Sequence, residues 1–170
     1  MIRISSPFFS QDGVLYKPRY YWESLTLCWN TPHKLVDLKK KRYLLPDTYE
    51  EECSGVYRIF VPDTTIDRCC GGDPTGTLYV GSAGTKDRSW SILRTRILEI
   101  VNKRHHATHN VTQRFREKFA WATLAVQWAY TDRIFNYKGK RISGAPRAES
   151  WLLSTYNKSF GEYPPWNQKG

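Results

Sequence analysis

Four side chains, far apart in the chain, are of types suited to chemistry on a phosphate ester: Tyr57, Tyr79, Arg96 and Glu149. A carboxylate such as Glu149 is a hard anionic donor. It suits Mg2+, which keeps several waters and needs few protein ligands. A guanidinium such as Arg96 offers a fixed fork of donors to the non-bridging oxygens of a phosphate. A phenol takes up a proton only where a nearby cation lowers its affinity for its own, and Arg96 or a bound metal could supply that cation. His105, His106 and His109 carry a group that exchanges protons near neutrality. Phosphodiester hydrolysis needs these parts, because it requires an in-line water, charge neutralisation and help for the leaving oxygen. Singly, each residue has an ordinary reading. A strand tyrosine packs, a helix arginine is solvated, and a glutamate in a helix's first turn complements the dipole. The joint pattern carries the argument.

The elements that must position them follow from periodicity. Gly55 to Val61 is short, β-branched and aromatic, and Pro62 ends it, so it reads as a strand. The stretch 62–76, with Pro62, Pro74 and three glycines, reads as a loop before a second strand over Thr77 to Gly81. Leu93, Ile97, Ile100 and Val101 have the spacing of a helix face within Ser91 to Lys103. A basic, His-rich stretch runs from Arg104 to Lys118. Ala120, Leu124, Val126, Trp128 and Tyr130 then include the period-two pattern of a third strand. Asn136 to Ala145 reads as a basic turn region, and a helix starts near Pro146 and is stopped by Gly161 and Pro164-Pro165. This order predicts an α+β fold: a small three-stranded antiparallel sheet flanked by helices. Residues 1–52, with Tyr16, Tyr20, Tyr21, Trp22, Trp29 and a linker over Asp47 to Glu52, are expected to be an N-terminal extension packed on the core or on DNA. Residues 53–170 are expected to be the functional domain.

Composition narrows the class. The 170 residues suffice for one domain with a real core, and 40% hydrophobic with 25% charged residues is globular, not disordered. A net charge of +10, from 26 basic and 16 acidic residues, attracts polyanions; nucleic acid is the first candidate and an anionic membrane surface the second. Cys28, Cys53, Cys69 and Cys70 have neither zinc-type spacing nor the density of a disulfide scaffold. Met1 to Ser10 is unlike a signal peptide and no apolar run reaches membrane-spanning length. A reduced, cytoplasmic protein without a membrane partner is therefore expected.

Gly55-Val56-Tyr57 and Tyr79-Val80-Gly81 resemble the two tripeptides that name the GIY-YIG nucleases. Leu93-Arg94-Thr95-Arg96-Ile97 is similar to that family's helix motif, Ala148-Glu149-Ser150-Trp151-Leu152-Leu153 to its helix with a single acidic metal ligand, and Pro164-Pro165-Trp166-Asn167 to its terminal Asn motif. The likeness spans residues 55–167. Together, in this order, the motifs are far more specific than any one alone. The resemblance implies a hydrolase leaving a 5′-phosphate and a 3′-hydroxyl. In it Glu149 holds Mg2+ or Mn2+, Arg96 clamps the phosphate, Tyr57 positions or deprotonates the water, Tyr79 orders the network, and Asn167 completes the site. Two features depart from the pattern. The stretch between the tripeptides is long, and Ile100 stands where the family often has His or Tyr. The proton-accepting role then passes to His105, His106 or His109, of which His109 is favoured for its place before the next segment.

Double-stranded DNA is the expected partner. Lys40, Lys41, Arg42, Lys86, Arg104, His105, His106, Arg114, Lys138, Lys140 and Arg141 are expected phosphate contacts. No separate DNA-reading motif is evident. A stand-alone, site-specific restriction-type endonuclease fits best, acting as a homodimer where both strands are cut and paired with a cognate DNA methyltransferase. The alternatives are a homing or phage-type endonuclease, a repair nickase, or a catalytically silent DNA-binding module.

Overall fold

The computed structural model describes residues 14–16, 25–46, 54–84, 92–105, 119–131, 135–137, 140–142 and 144–167. The expectations for Met1 to Ser10, Tyr20, Tyr21, Trp22, the Asp47 to Glu52 linker and most of the Arg104 to Lys118 stretch lie outside these residues. The strands are β1 (Val14–Tyr16), β2 (Leu25–Trp29), β3 (His33–Lys34), β4 (Gly55–Phe60), β5 (Ile66–Arg68), β6 (Gly71–Asp73), β7 (Thr77–Ala83), β8 (Ala125–Tyr130), β9 (Phe135–Tyr137) and β10 (Lys140–Ile142). The helices are α1 (Leu35–Lys40), α2 (Leu93–Val101) and α3 (Ala145–Phe160), with 3-10 turns at Arg42–Leu44 and Trp121–Thr123.

The fold is α+β. Its main sheet runs β1-β2-β8-β4-β7, with β3 also paired to β8, and every pairing is antiparallel. The three expected strands are its β8-β4-β7 portion, but the sheet is wider than the expected three. β8 has a second edge, and β2 and β3 hydrogen-bond along it, which removes an exposed ladder. Residues 25–46 are thus built into the sheet and its core: Leu27, Leu35 and Leu38 have no exposed surface. The expected third strand begins later than Ala120, because Trp121–Thr123 turns in a 3-10 helix before Leu124. The 62–76 loop contains the β5-β6 hairpin, and the basic turn region contains the β9-β10 hairpin. No helix among the described residues is long and apolar enough to cross a membrane.

Alternation divides the sheet's residues between two faces. Tyr57, Ile59, Tyr79, Val126 and Trp128 form one core with Leu35 and Leu38 of α1 and Leu93, Ile97 and Ile100 of α2. Val56, Val80, Leu27, Trp29 and Ala129 form another with Ala148 and Leu152 of α3. Burying each such aliphatic side chain contributes about 1.5–3 kcal/mol, so these stripes dock the helices that carry Arg96 and Glu149. α3 has Pro146 in its first turn and ends at Gly161, whose φ of 76° suits a residue without Cβ.

β4 is buried along its whole length, including the charge of Arg58. The guanidinium is satisfied there. Arg58 Nε and Nη2 donate to Gln127 Oε1 at 3.0 and 2.8 Å, Nη1 donates to Thr77 Oγ1 at 3.3 Å, and the group lies 4.1 Å from the centre of the Phe60 ring. Burial pulls its pKa down to about 9, with Asp73 opposing the shift.

Candidate functional site

β4 and β7 bring the two tyrosines together. Tyr57 lies opposite Gly81 and Tyr79 opposite Ile59, so both rings rise from the same face of adjacent strands. Their centroids are 6.0 Å apart and the rings are tilted by 34°. Gly81 makes room for this: a Cβ there would lie 2.7 Å from Tyr57 Cζ and Oη and from Tyr79 Cε1. Gly55 serves packing, since its Cβ would lie 2.5 Å from the Ala129 carbonyl oxygen.

The sequence placed His105 among the surface phosphate contacts, and the structure corrects this: His105 is 1% exposed. After α2 the chain reverses through Lys103, at φ 59°, and the N–H groups of Arg104 and His105 donate to the Glu99 carbonyl at 2.8 and 3.2 Å. The turn swings the imidazole back under the sheet. His105 Nε2 lies 2.7 Å from Tyr57 Oη, and the ring stands edge-on to Tyr57 and Tyr79 at centroid distances of 5.8 and 5.4 Å. With its proton on Nδ1, Nε2 accepts from the phenol; with the proton on Nε2, the phenol oxygen accepts. Ile100 is fully buried core. His106 and His109 lie outside the described residues.

Arg96, on α2, is about a quarter exposed, and its Nη1 donates to Glu99 Oε2 at 2.8 Å. Burial lowers its pKa, but the hydrogen bond and charge of Glu99, followed by the two phenols, outweigh this and raise it overall. Glu149 arrives from the opposite layer, on α3, where its Oε2 accepts a 2.5 Å hydrogen bond from Ser82 Oγ. Burial raises its pKa, and Ser82 opposes the shift.

These groups share one electrostatic neighbourhood. Burial drives both phenols well above their ordinary range; Glu149 adds to the rise on each, and Arg96 opposes it. The expected lowering by Arg96 is therefore present but overruled by burial, and the resting phenols are neutral.

Asn167 is placed differently from expectation. Its Oδ1 accepts from Val80 N–H at 2.8 Å and its Nδ2 donates to the Val80 carbonyl at 2.7 Å, while Trp166 N–H donates to the Leu78 carbonyl at 2.8 Å. The carboxamide completes the ladder of edge strand β7, next in sequence to Tyr79. Of the expected DNA contacts, Lys40, Lys41, Arg42 and Arg104 are exposed, and Lys140 and Arg141 lie on β10. Lys86, Arg114 and Lys138 lie outside the described residues.

Among the described residues no three or more His, Cys, Asp or Glu side chains cluster as a metal cage. A single half-buried carboxylate on α3 is still a donor that fits Mg2+ or Mn2+, which draw their remaining ligands from water and phosphate. Sequence reasoning did not single out Ser82 or Glu99. The period of β7 alone puts Ser82 on the face opposite Tyr79, but which helix residue meets it there depends on tertiary packing. No family model, curated protein or solved structure matches the chain.

Proposed function

We propose that the chain is a metal-dependent DNA endonuclease of the GIY-YIG type, hydrolysing phosphodiester bonds to a 5′-phosphate and a 3′-hydroxyl. The observation that carries this reading is the pairing of Tyr57 with buried His105 beside Tyr79, on a sheet against which α2 and α3, the helices carrying Arg96 and Glu149, are docked. Two phenols feel a guanidinium and a carboxylate at once, and one of them is hydrogen-bonded to a buried imidazole.

Arg96 presents its guanidinium to the non-bridging oxygens, an interaction that strengthens as charge develops on them. Tyr79 holds Tyr57, and Tyr57 orients the attacking water. A neutral phenol is a poor base, so the water's proton passes through Tyr57 to His105 Nε2, whose imidazole suits neutral pH. Glu149 would hold Mg2+ or Mn2+, which neutralises phosphate charge and stabilises the leaving 3′ oxygen when bound. A restriction-type enzyme fits best, because residues 25–46 extend the catalytic sheet itself instead of forming an appended DNA reader. The cytoplasm, a homodimer, duplex DNA bound through the exposed basic residues and a protecting methyltransferase belong to the same proposal.

The test is incubation of supercoiled plasmid and mixed-sequence genomic DNA with the full chain, with Mg2+ or Mn2+ and with chelator. Metal-dependent cutting that is abolished by Glu149→Gln is expected. Discrete fragments indicate site-specific restriction, and relaxed circles alone indicate a nickase. Absence of metal-dependent cutting on every DNA overturns the nuclease reading.

A further inference from the structure

Strand β7 serves both faces of the sheet. Tyr79 and Gly81 face α2, whereas Val80 lies in the core with Ala148 and Leu152 of α3. Ser82 shares the Val80 parity and reaches the residue next to Ala148, donating its hydroxyl proton to Glu149 Oε2 at 2.5 Å. The backbone bearing Ser82 is fixed close by, where the Asn167 carboxamide clamps both Val80 main-chain groups and the Trp166 N–H binds the Leu78 carbonyl. Glu149 itself stands on a long, rotamer-rich side chain, which costs up to about 2 kcal/mol to order. A carboxylate that binds Mg2+ through one oxygen leaves the other in need of a partner, and such partners orient the ligand and raise metal affinity.

We propose that Ser82 is the positioning residue of the metal-binding carboxylate, holding Glu149 Oε2 so that Oε1 is presented to the divalent cation. The inference rests on the nuclease reading, which makes Glu149 the ligand. It adds that a strand offering Tyr79 to one layer of the fold offers a carboxylate anchor to the other. A purely structural role, tying α3 to the sheet, would alter stability but not metal affinity.

Mn2+ titrated into the full-length protein without DNA, followed by the electron paramagnetic resonance of the free ion, separates these roles. Melting curves in chelator accompany the titration. The wild type binds Mn2+ and Glu149→Gln abolishes the site. Ser82→Ala weakens binding by about 10–100-fold, the range found when a group that hydrogen-bonds a metal ligand is removed. Ser82→Cys, similar in size but a weak donor, weakens it comparably should the alanine variant melt early. Ser82→Thr, which keeps the hydroxyl, restores wild-type affinity. Wild-type Mn2+ affinity in Ser82→Ala or Ser82→Cys, with Glu149→Gln silent, overturns the Ser82 role and leaves the ligand assignment standing. Unchanged Mn2+ binding in Glu149→Gln, or none in the wild type, overturns the ligand assignment and this inference with it.

Discussion

Gly81→Ala is the sharpest probe of the arrangement, because it adds one methyl group between the two phenols. The new Cβ would lie 2.7 Å from Tyr57 Cζ, Tyr57 Oη and Tyr79 Cε1. Ordinary contact begins near 3.4 Å, so the rings must withdraw by at least 0.7 Å (3.4 − 2.7). An exposed tyrosine would swing aside at little cost. Tyr57 is 1% exposed, opposite the mutated residue, and tied to His105 at 2.7 Å, so the movement strains the core or stretches that hydrogen bond. Overpacking of this kind costs about 1–3 kcal/mol, and each kcal/mol lowers Tm by about 2–4 °C in a chain of this size. The catalytic effect is larger, since a misplacement near 1 Å can cost about 100-fold in rate. The assay is plasmid cleavage well below the melting midpoint, alongside a thermal melt. A variant that is mostly folded yet at least about 50-fold slower is expected. Gly81→Ala that melts with the wild type and cleaves within about threefold of its rate, far short of that loss, refutes the packing of Tyr57 over Gly81.

The other expectations use the same comparison of activity with stability. Asn167→Ala removes two hydrogen bonds to Val80, worth about 0.5–1.5 kcal/mol each; it should lower Tm and reduce kcat through Tyr79, with Mn2+ affinity falling less than in Ser82→Ala. Tyr57→Phe takes the phenol partner from buried His105 and should lower kcat steeply while KM moves little, as measured by steady-state cleavage. Burial raises the Glu149 carboxyl, so the folded state retains that proton to higher pH than the unfolded chain, and stability falls as pH rises through that interval. Glu149→Gln should therefore melt above the wild type at mildly alkaline pH, with the gap closing on acidification below the ordinary carboxylate value. Neutralising Lys40, Lys41 and Arg42 together should reduce the salt dependence of DNA binding by about 2.7 in log–log slope, at about 0.9 for each phosphate no longer neutralised.

Local signals in the sequence carried most of the elements that bear the candidate site. The β-branched run ending at Pro62, the spacing of Leu93, Ile97 and Ile100, and Pro146 with Gly161 each report on their own segment, and β4, α2 and α3 follow them closely. What stayed hidden depends on tertiary partners. β2 and β3 are short and find their register against other strands, β2 against β1 and β8 and β3 against β8, so nothing within residues 25–34 marks them as part of the sheet. His105 looked like its neighbours in a basic stretch. Its burial depends on a left-handed turn at Lys103, a residue with no intrinsic preference for φ of 59°. Asn167 was singled out as part of a terminal motif, but its use as a main-chain clamp requires the C-terminal segment to lie along the edge of β7.

A polar constellation inside a hydrophobic fold needs a reason to be stable before any substrate arrives. An unpaired buried donor or acceptor costs about 1–3 kcal/mol, and several would consume much of the roughly 5–15 kcal/mol that holds a domain together. Here each group has an internal contact: Tyr79 with the rings of Tyr57 and His105, Tyr57 with His105, Arg96 with Glu99, and Glu149 with Ser82. Pairing need not exhaust these groups. A guanidinium has five donors to distribute, and a carboxylate bound through one oxygen keeps the second. A phosphate and a metal, as the nuclease proposal requires, would therefore enter without first breaking the hydrogen bonds that hold the side chains in place. On the proposed nuclease reading, pairing of this kind keeps the resting site ordered while the substrate makes its own bonds, and gives Glu99 and Ser82 the task of keeping Arg96 and Glu149 aimed.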